Sequence, residues 1–148
     1  MSASPVRSFA DFRWENTDLL AYKEDGVAPF KAITRQVLFR HSELKSELRY
    51  FEMAPEGYST LERHQHVHGV LILRGHGQVM IGGDVFDIGQ NDLVTIEPMT
   101  WHQFRANAGE ALGFLCMVNV ERDKPQLPSD DERAALATNP KVAAFFTK

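Results

Sequence analysis

Four of the six histidines in this 148-residue chain lie in two short segments. The first segment carries Glu62, His64, His66 and His68 at every second position, and the second ends at His102. Residues two apart on a β-strand point to the same face, so the first four side chains would line one side of one strand. Imidazole nitrogens with one carboxylate suit first-row divalent metals. The spacing therefore predicts a metal site that His102 completes from a second strand.

The strands that must position these residues are indicated along the middle of the chain. From Ile33 onward, runs of β-branched and aromatic residues are separated by turn signals about every 8–12 residues. Gly82 and Gly83 predict a two-residue hairpin, because both positions of a type I′ turn need positive φ. Residues 55–57 are typical of another turn, and residues 70–73 of a strand covered on both faces. The pattern predicts an all-β antiparallel sandwich or barrel.

The two ends of the chain differ from this middle part. Residues 1–31 are polar and aromatic without a clear period, which predicts an arm packed on the domain or on a dimer partner. Residues 32–122 form the β-domain. In residues 123–148, Ser129 or Asp130 would cap a first helix with acidic residues in its first turn, and a second short helix would begin at Pro140.

The bulk composition favours some partners and compartments over others. The net charge is −4 and no basic stripe is present, so neither a nucleic-acid nor a membrane partner is expected. The single cysteine, Cys116, fits a reducing compartment, and its strand parity with Phe114 and Val118 predicts a buried, inert thiol. The chain begins without a signal-peptide pattern, and residues 112–118 are too short an apolar run to span a bilayer. A cytoplasmic protein is predicted.

Residues 57–75 and 89–107 resemble the two motifs of the cupin superfamily. The first cupin motif contains His-x-His, a Glu three or four residues later and a Gly seven residues after that Glu, and the second motif ends at a His. Counting back seven residues from Gly75 reaches His68, and His64 and Glu62 then occupy the two places of His-x-His. The resemblance implies a small jelly-roll β-barrel, here with short C-terminal helices. It also implies one metal ion bound by Glu62, His64, His68 and His102.

A rival register of the first motif remains open. It takes His64 and His66 as the His-x-His pair and leaves Glu62 outside the ligand set. The position four residues beyond His66 is then Val70, which cannot bind a metal, so the first register is favoured. In that register His66 is either a group beside the ligands that faces the substrate or an alternative ligand.

The resemblance implies a small-molecule ligand or substrate and one divalent transition metal, for which Mn, Fe, Co, Ni, Cu and Zn all suit the mixed nitrogen and oxygen donors. A metalloenzyme such as a dioxygenase, isomerase or lyase is one interpretation, with open metal positions for the substrate. No further acid or base selects among these reactions, so no catalytic residue is assigned. The alternatives are a non-catalytic ligand-binding or metal-binding module and a metal-free jelly roll. As in many cupins, we expect a homodimer.

Overall fold

The computed structural model describes residues 4–23 and 28–148. Within these residues the chain forms eleven strands followed by two helices. Three two-residue strands belong to the N-terminal arm, namely β1 (Phe9–Ala10), β2 (Arg13–Trp14) and β3 (Leu20–Ala21). The domain strands are β4 (Lys31–Arg40), β5 (Ser46–Tyr58), β6 (His68–Arg74), β7 (Gly77–Ile81), β8 (Asp84–Ile88), β9 (Leu93–Ile96), β10 (His102–Ala106) and β11 (Leu112–Asn119). The helices are α1 (Asp130–Leu136) and α2 (Pro140–Phe146).

One antiparallel sheet contains all of the described domain strands. Its order is β8-β7-β10-β5-β11-β6-β9, and β4 pairs with β5 and β3. The long strand β5 pairs with β11 along its first part and with β10 at Tyr58, so it connects the two halves of a curled half-barrel. The predicted fold class, an all-β jelly-roll barrel with short C-terminal helices, is confirmed.

The hairpin predicted at the paired glycines is also confirmed. Ile81 pairs with Asp84, and φ is 60° at Gly82 and 94° at Gly83. A side chain at either position would strain the backbone, because φ is positive at both. The hairpin carries the chain back along β8, which pairs with β7 over its whole length.

The turn predicted at residues 55–57 is wrong. Residues 55–57 do not turn the chain, because β5 continues through them to Tyr58. The strand bends there instead: φ is 63° at Glu56, and a Cβ at Gly57 would lie 2.9 Å from two backbone carbonyl oxygens. Within the described chain one face of residues 70–73 is covered and the other is open, since Ile72 is fully buried and Leu71 is 36% exposed, so coverage of the second face stays a prediction.

The core lies inside the curl of the sheet and is built around stacked aromatic rings. The ring centroid of Phe114 lies 4.8 Å from that of Phe104 and 5.6 Å from that of Phe51. A second cluster under α2 joins Phe145 of that helix to Met80 of β7. Burial of such side chains contributes about 1.5–3 kcal/mol each, so the two clusters fix both surfaces of β7.

The C-terminal helices begin where the sequence predicts. Ser129 caps α1 in a capping box with Glu132, whose backbone N–H donates to the Ser129 hydroxyl at 3.1 Å. Asn139 caps α2, and Pro140 occupies the first turn, where its missing N–H costs no hydrogen bond. No helix among residues 4–23 and 28–148 is long and apolar enough to cross a membrane.

The described part of the N-terminal arm packs on its own chain. The rings of Phe12 and Trp14 lie 5.9 and 5.1 Å from the ring of Tyr50, and the Gln36 amide donates to the carbonyl of Phe12 at 2.8 Å. Further along, the ring of Tyr22 lies 5.7 Å from that of Phe51, at the edge of the core. The domain boundaries and an arm that reaches a dimer partner stay predictions.

Candidate metal centre and its cavity

Three histidines converge at one wall of the half-barrel. One nitrogen from each of His64, His68 and His102 lies within 4.8 Å of the others. His68 begins β6, His102 begins β10, and His64 lies in the chain just before β6. Two backbone hydrogen bonds between Glu62 and His102, 3.2 and 3.0 Å long, hold the two segments side by side.

The segment that carries the first histidines is not one strand, contrary to the prediction. Glu62 makes only an isolated bridge, a bend occupies residues 65–66, and the regular strand begins at His68. Because of the bend, the ring of His66 folds back and stacks on the ring of His64, with centroids 3.6 Å apart and planes 3° from parallel. Side-chain alternation along a strand therefore does not explain how these residues meet.

Each of the three rings is oriented by a partner at Nδ1. Nδ1 of His64 lies 2.7 Å from the carbonyl oxygen of His66, and Nδ1 of His102 lies 2.9 Å from the carbonyl oxygen of Thr100. A carbonyl oxygen only accepts, so both Nδ1 atoms carry the proton and both Nε2 atoms keep a lone pair. The Nε2 atoms of His64 and His68 lie 3.1 Å apart. Two nitrogens bound about 2.1 Å from one metal ion at nearly a right angle would be about 3 Å apart, so the donor set fits an ion.

Burial keeps the rings of His68 and His102 uncharged. Desolvation, together with the neighbouring imidazoles, lowers the pKa of His68 to about 2 and the pKa of His102 to about 4. The hydrogen bond to Thr100 partly opposes the shift in His102. Because metals bind the neutral imidazole, both rings offer a lone pair throughout the neutral pH range without displacing a proton.

His66 lies beside this group and is held by Asp123. Its Nδ1 is 2.8 Å from Oδ1 of Asp123, and the backbone N–H groups of Gln65 and His66 donate to the same carboxylate at 2.8 and 3.0 Å. The Gln65 N–H in particular holds the pKa of Asp123 well below its usual range, and burial lowers the pKa of His66. His66 lines the same cavity, but it does not belong to the three-histidine group.

Glu62 lies next to His102, and its carboxylate already has a cationic partner. Oε2 of Glu62 accepts a hydrogen bond from the ammonium group of Lys23. The Glu62 side chain is only 9% exposed, and both residues line the cavity. A metal ion at the histidines would therefore compete with Lys23 for this carboxylate. A ligand role for Glu62 stays a prediction.

His68 and His102 open onto a cavity of about 220 Å³. Cys116 lines it, with Sγ 2.9 Å from Nδ1 of His68 and 3.7 Å from the Arg49 guanidinium. The predicted burial of this thiol is confirmed, and burial raises its pKa. Cys116 thus lies between His68 and Arg49, which belongs to a second part of the cavity wall. The remaining lining residues are largely apolar and include Ile33, Phe51, Val70, Ile96, Phe104, Phe114 and Pro125.

That other part of the wall is cationic and contains Arg35, Arg49 and Arg122. Glu47, which is 4% exposed, lies 3.0 Å from Nη1 of Arg122 and 3.7 Å from Nε of Arg49. Burial lowers the pKa of Arg35, and the neighbouring positive charges of Arg49 and Arg122 lower it further. The charges of this cluster are therefore only partly neutralised by the protein.

Sequence reasoning did not identify Lys23, Asp123 or the arginines. The first two act through contacts with residues 39 and 57 positions away, for which local spacing carries no information. The arginines did leave a signal, because Arg49 shares strand parity with Phe51 and so occupies a core-facing position of β5. Charged residues on the apolar face of a strand, here Glu47 and Arg49, indicate a buried polar site.

The curled sheet and the part of its inner surface that carries His64, His68 and His102, the histidine wall, together define the class of protein. Residues 49–118 match the family model described as a cupin domain. The chain belongs to the cupin family, as the resemblance of its two motifs implied.

Full-length relatives extend the match to nearly the whole chain. The 1-methylthio-D-xylulose 5-phosphate methylsulfurylase of Rhodospirillum rubrum is 60% identical over 96% of this chain and 92% of its own length. A cupin 2 conserved barrel domain protein from Rhodopseudomonas palustris has a TM-score of 0.88 at 52% identity, covering 95% of this chain and 97% of that one. A cupin-2 domain structure from Rhodospirillum rubrum has a TM-score of 0.87 at 58% identity, covering 97% of each chain.

Proposed function

We propose that this protein is a metal-dependent enzyme that acts on 1-methylthio-D-xylulose 5-phosphate or a closely similar methylthio ketose phosphate. The observation that carries the metal-dependent part is the convergence of His64, His68 and His102, two of which, His68 and His102, line the cavity. The substrate class rests on the relative that is 60% identical over nearly the whole chain. A cavity of about 220 Å³ with a cationic wall suits a small phosphorylated sugar.

In this proposal the metal ligands are His64, His68, His102 and Glu62, with Lys23 released from the Glu62 carboxylate when the ion binds. The ion is one of Mn, Fe, Co, Ni, Cu and Zn. A bound ion of this kind would act as a Lewis acid on a carbonyl or hydroxyl oxygen of the substrate. His66, whose Nδ1 is held by Asp123, would face the substrate from beside the ion.

Metal content and turnover test this proposal together. We expect close to one ion per chain in the purified parent by elemental mass spectrometry, and almost none in the His64→Ala/His102→Ala double variant. His41→Ala removes an exposed histidine and serves as the matched control. Turnover of 1-methylthio-D-xylulose 5-phosphate is followed by ³¹P NMR, under conditions in which the Rhodospirillum rubrum relative consumes it.

Two results would contradict the proposal. If the parent protein holds no metal even after reconstitution, the proposed metal dependence is wrong. Tight binding of the sugar phosphate without turnover, next to an active relative, would instead favour a non-catalytic binding module. Circular dichroism spectra that match between parent and double variant show that any loss is not a loss of fold.

Variants of Glu62 and of His66 distinguish the two alternative sets of metal ligands. With Glu62 as the fourth ligand, Glu62→Gln weakens metal binding about 10- to 100-fold or more, and His66→Gln changes it only slightly. The reverse order would assign the ligand role to His66 and overturn the proposed set. Both substitutions keep a side chain of similar size, so the metal affinities can be compared directly.

We also propose that the protein is a homodimer joined through the outer face of β6, β9 and β11. Leu71 and Leu93 are register partners on this face, exposed by 36% and 73%, and Met117 on β11 is 57% exposed. Contiguous exposed apolar side chains are typical of a surface that is covered by another protein. Light scattering after size exclusion should give twice the chain mass, and a monomeric mass for Leu93→Lys. A parent that runs as a monomer would disprove it.

A further inference from the structure

The cationic part of the cavity wall has no role in holding a metal ion. Three guanidinium groups, those of Arg35, Arg49 and Arg122, line it, and Glu47 is the carboxylate that contacts two of them. Among these four side chains, three positive charges and one negative charge leave a net charge of +2. We propose that the three arginines form an anion site that binds the phosphate group of a sugar phosphate.

Arg35 is the most informative member of this site. Among the described residues, no carboxylate oxygen lies within 4.0 Å of its guanidinium, and its buried Nε makes no hydrogen bond. Buried donors are normally paired, because an unpaired one costs free energy. Repulsion from Arg49 and Arg122 adds to this cost. Arg35 is therefore held where it weakens the unliganded fold, and an anion would stabilise it.

Arg49 places the anion site within reach of the histidines. It lies opposite Cys116 in the β5–β11 register, and the Cys116 sulfur is 2.9 Å from Nδ1 of His68. One side chain thus separates the arginines from the three-histidine group. A ligand that spans both must be short, with an anion at one end and oxygen donors at the other.

A phosphate monoester matches the charge and geometry of this wall. It carries a charge of about −1.5 to −2 at pH 7, close to the +2 of the cluster. Guanidinium groups bind such oxygens in pairs of parallel hydrogen bonds. The identity of the sugar rests on the proposed function, but the anion site itself requires neither a metal ion nor turnover.

The test measures anion binding on the full-length protein after metal removal with a chelator, so that phosphate cannot bind a metal ion. Thermal unfolding is recorded with inorganic phosphate, with D-xylulose 5-phosphate and with unphosphorylated D-xylulose, at one ionic strength. We expect both phosphates to raise Tm, the sugar phosphate at the lower concentration, and D-xylulose to leave Tm unchanged. No rise with either phosphate would overturn the proposal, and equal potency of the two would assign the site to free phosphate.

Arg35→Gln is the decisive variant, because it removes a charge without leaving Glu47 unpaired. We expect the affinity for D-xylulose 5-phosphate to fall about 10- to 100-fold. Without ligand, Tm should equal or exceed that of the parent, whereas loss of a purely structural arginine would lower it. Arg40→Gln is the matched control: Arg40 lies on the same strand as Arg35, but it is 65% exposed, pairs with Glu47 and does not line the cavity. Equal protection of parent and Arg35→Gln by phosphate would refute the assignment.

A second variant and a kinetic measurement separate this inference from the proposed function. Arg35→Lys keeps the charge but loses the paired hydrogen bonds, so its affinity should fall between those of parent and Arg35→Gln. In the metal-loaded enzyme, Arg35→Gln should raise KM more than it lowers kcat. Phosphate binding that depends on Arg35 but is not followed by turnover would disprove the proposed enzyme and support the anion site. Turnover with an unchanged KM in Arg35→Gln would support the enzyme and disprove the anion site.

Discussion

The histidine wall and the cationic part of the cavity wall, here called the arginine wall (Arg35, Arg49 and Arg122), are built in opposite ways. Burial keeps the rings of His68 and His102 neutral, and all three histidine rings are oriented by partners at Nδ1, two of which are backbone carbonyls. The arginines are charged and lie close enough to repel one another, and only Arg49 and Arg122 share a carboxylate, that of Glu47. Neutral donors can be pre-oriented for a ligand at small cost, because their desolvation is mild. Uncompensated charges weaken the fold until a counter-ion arrives.

The two walls are not independent, since they share a floor and one linking side chain. The floor is the aromatic stack around Phe114, and the link is Cys116, which contacts His68 on one side and Arg49 on the other. Substitutions in the floor should damage both walls, whereas substitutions at one wall should leave the other intact.

The largest effect is expected from Phe114→Ala. The Phe114 ring is 5% exposed and stacks between Phe51 and Phe104, so its removal leaves a cavity that costs about 3–5 kcal/mol of unfolding free energy. Urea denaturation measures this loss, and metal and phosphate binding should weaken together. Phe86→Ala, at a 49% exposed position of β8, is the control and should change stability by less than about 1 kcal/mol. Loss of only one binding activity would show that the walls are supported separately.

The next largest effect, taken for a change of one pH unit, concerns the histidine wall alone. His68 and His102 have lowered pKa values in the folded chain, about 2 and about 4, so the unfolded chain takes up protons first as pH falls below about 6.5. The unfolding free energy of the metal-free protein should therefore fall between pH 6.5 and 4, by up to about 1.4 kcal/mol per pH unit for each ring.

Urea midpoints across this pH range measure the slope. His102→Gln should flatten it, since one of the two buried rings no longer titrates on unfolding. His41→Gln removes an exposed histidine and should leave the slope unchanged. The same slope in all three proteins would mean that burial of these rings does not control acid stability.

A smaller effect is expected where the two walls meet. Cys116→Ala removes the sulfur that contacts Nδ1 of His68, and loss of such an orienting contact should weaken metal binding about 10- to 100-fold. Cys116→Ser supplies a hydroxyl in nearly the same place and should recover part of the affinity. Competition with a chromogenic chelator gives the dissociation constants. Equal affinities for parent and Cys116→Ala would show that the sulfur does not orient the ring.

The smallest effect is expected from Lys23→Met. Removing the ammonium frees the Glu62 carboxylate for an ion at the histidines, so metal affinity should rise by a few-fold while phosphate binding at the arginines stays unchanged. Combining it with Glu62→Gln should abolish the gain. A fall in metal affinity would mean that Lys23 holds Glu62 in its ligand position rather than competing for it.

Local chemistry explains which features could be predicted. The paired glycines fix a hairpin because only positive φ closes it, and Ser129 and Asn139 cap helices within their first turn. The ligand types of the histidine wall were also evident from two short segments. The single-strand prediction for residues 62–68 was wrong, since the bridge between Glu62 and His102 and the following bend depend on pairing with a distant segment.

The sequence by itself determined the β-rich fold, the caps, the hairpin and the histidines that meet, because each depends on neighbours a few residues away or on motifs of fixed spacing. Only the tertiary structure decided which partner each buried charge contacts. Lys23 meets Glu62, Asp123 meets His66, and the arginines of β4 and β5 meet Arg122 beyond β11 because the sheet curls and its register brings them together. Such long-range pairing follows from the packing of the whole domain and therefore cannot be predicted from short sequence patterns.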